Sequence, residues 1–72
     1  MKTAEQVAAA LRSLRGEKSQ ATVANNVGIS PSALAMYENG ERMPRDGVKV
    51  ALAKYYGVSV GALFFGEESH ET

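Results

Sequence analysis

Cysteine and tryptophan are absent from this 72-residue chain, and histidine occurs once, as His70. Without cysteine there is no disulfide framework, no thiolate metal site and no cysteine nucleophile. A single histidine, placed among the acids of the C-terminal end, leaves no Ser/His/Asp set. The chain also has no metal-ligand cluster and no glycine loop of the kind that cradles phosphates, so the sequence does not read as an enzyme and calls for no cofactor. Gly61 and Gly66 have turn or packing explanations, and no small-molecule substrate is evident. No apolar run approaches the length of a membrane span, and Met1-Lys2-Thr3 is not followed by the uncharged core of a signal peptide. The expectation is a cytoplasmic protein with no membrane partner. Neither sign of charge is in excess, with eight Lys and Arg against eight Asp and Glu.

A chain this short makes one domain. It buries only about 60% of the surface its unfolded form exposes, so its stability margin is thin and oligomerisation would help. The spacing predicts five helices and no strands. Thr3 with Gln6 is a capping-box pattern, followed by Val7, Leu11 and Leu14 at helical spacing, for a first helix ending between Arg15 and Lys18. Asp46 is expected to cap a fourth helix carrying Val48, Ala51, Leu52 and Tyr55, stopped by Gly57. Ser59 should cap a short fifth helix with Val60, Leu63 and Phe64 inward. The domain is expected to span residues 1–66, with residues 67–72 an acidic, disordered tail.

The most informative stretch is QATVANNVGISPSALAMYEN, residues 20–39. Val23, Ala24 and Val27 share one helix face, and Leu34 and Tyr37 do the same further on. Between them Gly28 suits a left-handed helix stop, Ile29 supplies an apolar plug, and Ser30-Pro31 is a strong helix start. Small Ala24 fits a tight crossing of two helices. The outline is a helix-turn-helix, although a plain helical hairpin would share the glycine turn.

In particular letters the segment resembles the Cro and phage-repressor (XRE) family of transcription regulators. Ser19-Gln20 opens the first motif helix as in that family, Ala24, Gly28 and Ser30 take its small-residue positions, and Tyr37-Glu38-Asn39-Gly40 resembles its Ile-Glu-Asn-Gly signature. Glu41-Arg42-Met43-Pro44-Arg45 and Leu52 to Ser59 continue in register, so the likeness covers roughly residues 7–65. It implies an all-α, compact five-helix bundle, a lambda-repressor-like DNA-binding domain. Its implied function is a sequence-specific repressor that inserts helix 31–39 into the major groove of double-stranded DNA. One departure stands out: many relatives carry two more residues before the Ser-Gln start, whereas this chain goes directly from Gly16-Glu17-Lys18 to Ser19. Helix one must therefore end sooner or enter at a changed angle.

Phosphate contacts come first, because they supply most affinity and the salt dependence. The amide-rich helix start at Ser19 and Gln20 is a natural anion site. By the resemblance Gln20 contacts the DNA backbone, and Asn39 with Gly40 forms a second backbone clamp. Arg42 and Arg45 follow in the loop and would flank the same groove. Base or groove contacts are expected from the start of the third helix, at Ser30, Pro31, Ser32, Ala35 and Met36. Relatives carry Gln, Arg or Asn at such places, which make bidentate base contacts; here Ala35 and Met36 can only pack on thymine methyls or sugar. Direct readout should be modest, leaving weight to DNA shape. The resemblance also pairs Glu38 with Arg15 in a structural ion pair that holds the third helix.

Dimerisation follows from the small surface of one short reading helix, since such regulators read two half-sites about 34 Å apart. Leu63, Phe64 and Phe65 are the expected homodimer interface, because a core of this size cannot easily bury Tyr55, Tyr56, Phe64 and Phe65 together; the alternative is that these aromatics complete the monomer core. The neutral total charge is unusual for a DNA-binding domain. Its distribution helps: without Glu67, Glu68 and Glu71 the remainder has eight positive and five negative residues. The rival reading is a protein-interaction module, an antirepressor or adaptor, on the same fold.

Overall fold

The computed structural model describes residues 1–67. It consists of α1 (Ala4–Arg15), α2 (Gln20–Val27), α3 (Pro31–Glu38), α4 (Asp46–Tyr56) and α5 (Gly61–Phe65), with no strand among the described residues. The last is a short, widened helical turn of π type.

Local chemistry sets most of these boundaries. The Thr3 hydroxyl accepts from the Gln6 amide at 3.1 Å while the Gln6 side chain accepts from the Thr3 amide at 2.9 Å, completing the capping box. Ser19 and Ser30 cap α2 and α3 by accepting from the Thr22 and Ala33 amides, each at 3.0 Å. Pro31 occupies the first position of α3. Ser59 accepts from the Ala62 amide at 3.0 Å and so starts α5. The fourth helix differs from expectation. Asp46 is its first residue and Arg45 its cap position, with no side-chain cap bond. The Asp46 carboxylate still sits at the positive end of the helix, and it reaches Lys49 Nζ at 3.8 Å.

Of the five glycines at positive φ, two set the ends of the helices that frame the site. Gly28 ends α2 in the left-handed conformation, φ 91° and ψ 29°, and its amide donates to the Ala24 carbonyl at 2.8 Å. Gly16, at φ 58° and ψ −127°, stops α1 immediately after Arg15. That sharp stop accommodates the short connection to Ser19 while keeping Arg15 on the last turn of α1.

The core draws Val7 and Leu11 from α1, Val23 and Ala24 from α2, Leu34 and Tyr37 from α3, Leu52 and Ala53 from α4, and Leu63 and Phe64 from α5. The Lys2 amide donates to the Phe64 carbonyl at 3.0 Å, tying the beginning of the described chain to its end. Leu14, expected inward, is on the surface instead. The inward stripe of α1 runs through Ala8 and Leu11 to Arg15, and Leu14, at the edge of that stripe on the last turn, lines an apolar groove with Ala10, Val58 and Ala62. Burial of Leu63 and Phe64 inside the monomer likewise corrects their expected place at a dimer interface; only Phe65 of that trio shows substantial surface. The tail expected at 67–72 lies, from residue 68 onward, outside the described residues.

A Cβ at position 28 would meet nothing within 4 Å, so Gly28→Ala should cost only the left-handed strain, about 1–2 kcal/mol. A urea midpoint lowered at unchanged slope would report it; an unchanged midpoint would contradict the turn geometry.

Candidate nucleic-acid interface

Glu38, at the last turn of α3, is 1% exposed and is the polar centre of the region. Its Oε2 lies 2.9 Å from Arg15 Nε, and Oε1 accepts from the same nitrogen at 3.1 Å. Gln20 Nε2 donates to Oε1 at 2.8 Å. The Glu38 backbone carbonyl accepts from Arg12 Nη1, and Arg15 Nη1 donates to the Lys18 carbonyl at 2.8 Å. Three elements, α1, α2 and α3, are thus clamped at one carboxylate. The hydrogen bond to Glu38 raises the Arg15 pKa above its ordinary value, against the lowering effect of burial.

The sequence-predicted residues around this centre differ in exposure. Ser19 is exposed at the start of α2, where the Gln20 and Ala21 amides have no intrahelical acceptor. Gln20 is half-buried because its amide is turned to Glu38. Ser30, Pro31 and Ser32 are exposed at the start of α3, and Ala35 and Met36 are half-buried on its outer side. Beyond α3 the amides of Asn39, Gly40 and Glu41 donate within the turn, to the carbonyls of Ala35, Tyr37 and Met36 at 2.9, 3.3 and 3.0 Å. This leaves the Asn39 side-chain amide, 3.5 Å from Glu41 Oε2, as the freer donor at that end. Arg42 and Arg45 are exposed in the following loop, in no ion pair among the described residues.

Several participants were not singled out by sequence reasoning. Thr22 and Asn25 line an open cleft with Ala21, Ile29 and Pro31, beside the start of α3. Their three-residue spacing opposite the Val23, Ala24 and Val27 seam was the available signal. Arg12 carried none, since its partner is a backbone carbonyl 26 residues away. Lys49 is buried, with its ammonium 5.8 Å from the Phe64 ring centre and 5.1 Å from that of Phe65. Among the described residues no group of acids and histidines could hold a metal ion, and no helix is long and apolar enough to cross a membrane.

Tyr56 borders the carboxylate centre. Its hydroxyl is buried without a hydrogen-bond partner among the described residues. Burial first, then the negative charges of Glu38 and Tyr55, push its pKa up to about 12, opposed by Arg15. A tyrosine kept neutral in the fold adds stability below its ordinary value of 10.0, and that contribution is lost as pH rises towards 12. Alkaline unfolding followed by circular dichroism should therefore steepen over this window, and Tyr56→Phe should flatten it; identical profiles would refute the assignment. Arg15→Ala should cost about 2–3 kcal/mol in urea unfolding, because Glu38 would keep its burial and lose its counter-charge. The loss is smaller than for a sealed pair because the Arg15 side chain is 22% exposed and water partly screens it.

A family profile described as a helix-turn-helix domain matches residues 6–63. Among solved structures, the chain is similar to the solution structure of the SOS-response transcriptional repressor LexA from Eubacterium rectale, at 27% identity and a TM-score of 0.81. That likeness covers 100% of this chain and 77% of the other. No curated protein matches the sequence. The glycine turn between α2 and α3, the capped start of α3 and the matched span of residues agree: the chain belongs to the helix-turn-helix domain family and is a transcription regulator of that type.

Proposed function

We propose that the protein is a repressor that binds double-stranded DNA sequence-specifically as a homodimer, laying α3 in the major groove. The observation that carries this reading is the outer face itself. A capped helix start at Ser19 and Gln20, the exposed start of α3, and Arg42 and Arg45, exposed and in no ion pair among the described residues, support the reading. Phosphate would be gripped by Ser19, Gln20, Asn39, Gly40, Arg42 and Arg45, on both sides of a groove filled by Ser30, Pro31, Ser32, Ala35 and Met36. In this arrangement Gln20 exchanges its bond to Glu38 for a phosphate oxygen, while Arg15 continues to neutralise the carboxylate. The repressor named in the LexA similarity supports the regulatory sense. Phe65, with its exposed ring, is the residue proposed to meet a second copy.

A second reading, a protein-interaction module on the same fold, is favoured by the zero net charge and by a reading face without amide or guanidinium groups. Salt dependence separates the two. On the DNA-binding reading, log K falls linearly with log salt concentration, and Arg45→Ala weakens all duplexes alike and makes the slope shallower by about 1. Fluorescence anisotropy on random and selected duplexes measures both. Absence of binding tighter than roughly 10⁻⁴ M at low salt would overturn the proposal and leave the interaction module.

A further inference from the structure

The outer side of α3 is unusual in what it offers a base. Its exposed and half-buried positions are Pro31, Ser32, Ala35 and Met36, and among these only Ser32 has a side chain that hydrogen-bonds strongly. Asn39, at the far end of the helix, lies beside Glu41. The guanidinium groups of α1 are committed elsewhere, Arg12 to the Glu38 carbonyl and Arg15 to the Glu38 carboxylate. The nearby cleft adds Ala21, Ile29 and Pro31, all apolar, beside Thr22 and Asn25. On α3 itself no side chain can make the bidentate contacts that distinguish guanine or adenine edges, the amide of Asn25 belonging to α2 across the cleft. The α3 surface can distinguish one feature of the major groove, the C5-methyl group that thymine presents beside its O4 acceptor.

We infer that α3 reads pyrimidine C5-methyl groups, with Ala35 and Met36 packing on the methyls of thymines and Ser32 supplying a single hydrogen bond. This rests on the proposed DNA-binding function and names the chemistry of its specificity. Met36 suits the role because its unbranched, polarizable thioether conforms to a methyl without a fixed partner geometry. Ala35 suits it because a small side chain lets the helix backbone approach the base edge. Each methyl so covered contributes on the order of 0.8 kcal/mol, equivalent to about fourfold in affinity. Discrimination is then spread over several thymines rather than concentrated in one bidentate pair.

The test uses the unaltered protein and changes the DNA. A duplex selected from a random pool is resynthesised with deoxyuridine in place of each thymine in turn, which removes the methyl and nothing else. The expected result is a loss of about fourfold at one or two thymines in each half-site and no change elsewhere. Met36→Gln, with helicity checked by circular dichroism, should abolish the loss at the thymine it touches. Replacing that T·A pair by 5-methylcytosine·G or by cytosine·G identifies the methyl source. Tighter binding of the methylated cytosine supports recognition of any C5-methylpyrimidine; equal binding of the two, with the uracil effect intact, supports recognition of thymine alone. If a fully uracil-substituted duplex binds within twofold of the thymine duplex, the methyl readout is overturned and DNA binding stands. If no duplex binds at low salt, both are overturned.

Discussion

The buried carboxylate of Glu38 is the constraint on which the rest of the arrangement depends. A charge at 1% exposure survives only if its partners are supplied, and here they come from two other helices: Arg15 from α1 and Gln20 from α2. Arg12 adds a bond to the carbonyl of the same residue, at the negative end of α3. An apolar seam alone would let α3 rotate or slide against its neighbours at small cost. A carboxylate with directional partners does not, because any shift leaves a buried charge unpaired. Helix position and side-chain electrostatics are thereby made the same problem.

This matters because α3 is eight residues long, well short of what holds a helix together in isolation. Its order comes from outside: the Ser30 cap and Pro31 at its start, Leu34 and Tyr37 against the core, and Glu38 at its end. With those contacts on the inner side, the outer side is free to carry small side chains without loss of stability. Gln20 links the two sides. Its amide donates to Glu38 from the first position of α2, so on the proposed function the phosphate contact and the clamp on α3 would share one group.

Much of this was legible in the sequence where the physics is local. The Thr3 and Gln6 box, the serine caps at Ser30 and Ser59, and the Gly28 stop each involve residues within a few positions of one another, and each is present as expected. The failures share a different cause. Leu14 lies on the surface because the burial stripe of α1 is set by what faces it, Asp46 stands one position inside its helix, and Leu63 and Phe64, inward as their spacing predicted, are for that reason not available to the interface also expected of them. Arg12 and Lys49 were invisible because their partners, a distant carbonyl and a pair of aromatic rings, are brought near only by folding. The Arg15 and Glu38 pairing came from family likeness, and no spacing rule would have produced it across 23 positions.

The central claim is that the face running from Ser19 through α3 to Arg45 receives DNA. A titration of isotope-labelled protein with a short duplex, followed by amide chemical shifts, tests it residue by residue. The account predicts shifts confined to residues 19–22, 30–36 and 39–45, with the Gln20 side-chain amide moving as its bond to Glu38 is exchanged for phosphate. Shifts centred on α4 and α5, with α3 and Gln20 unmoved, would contradict it.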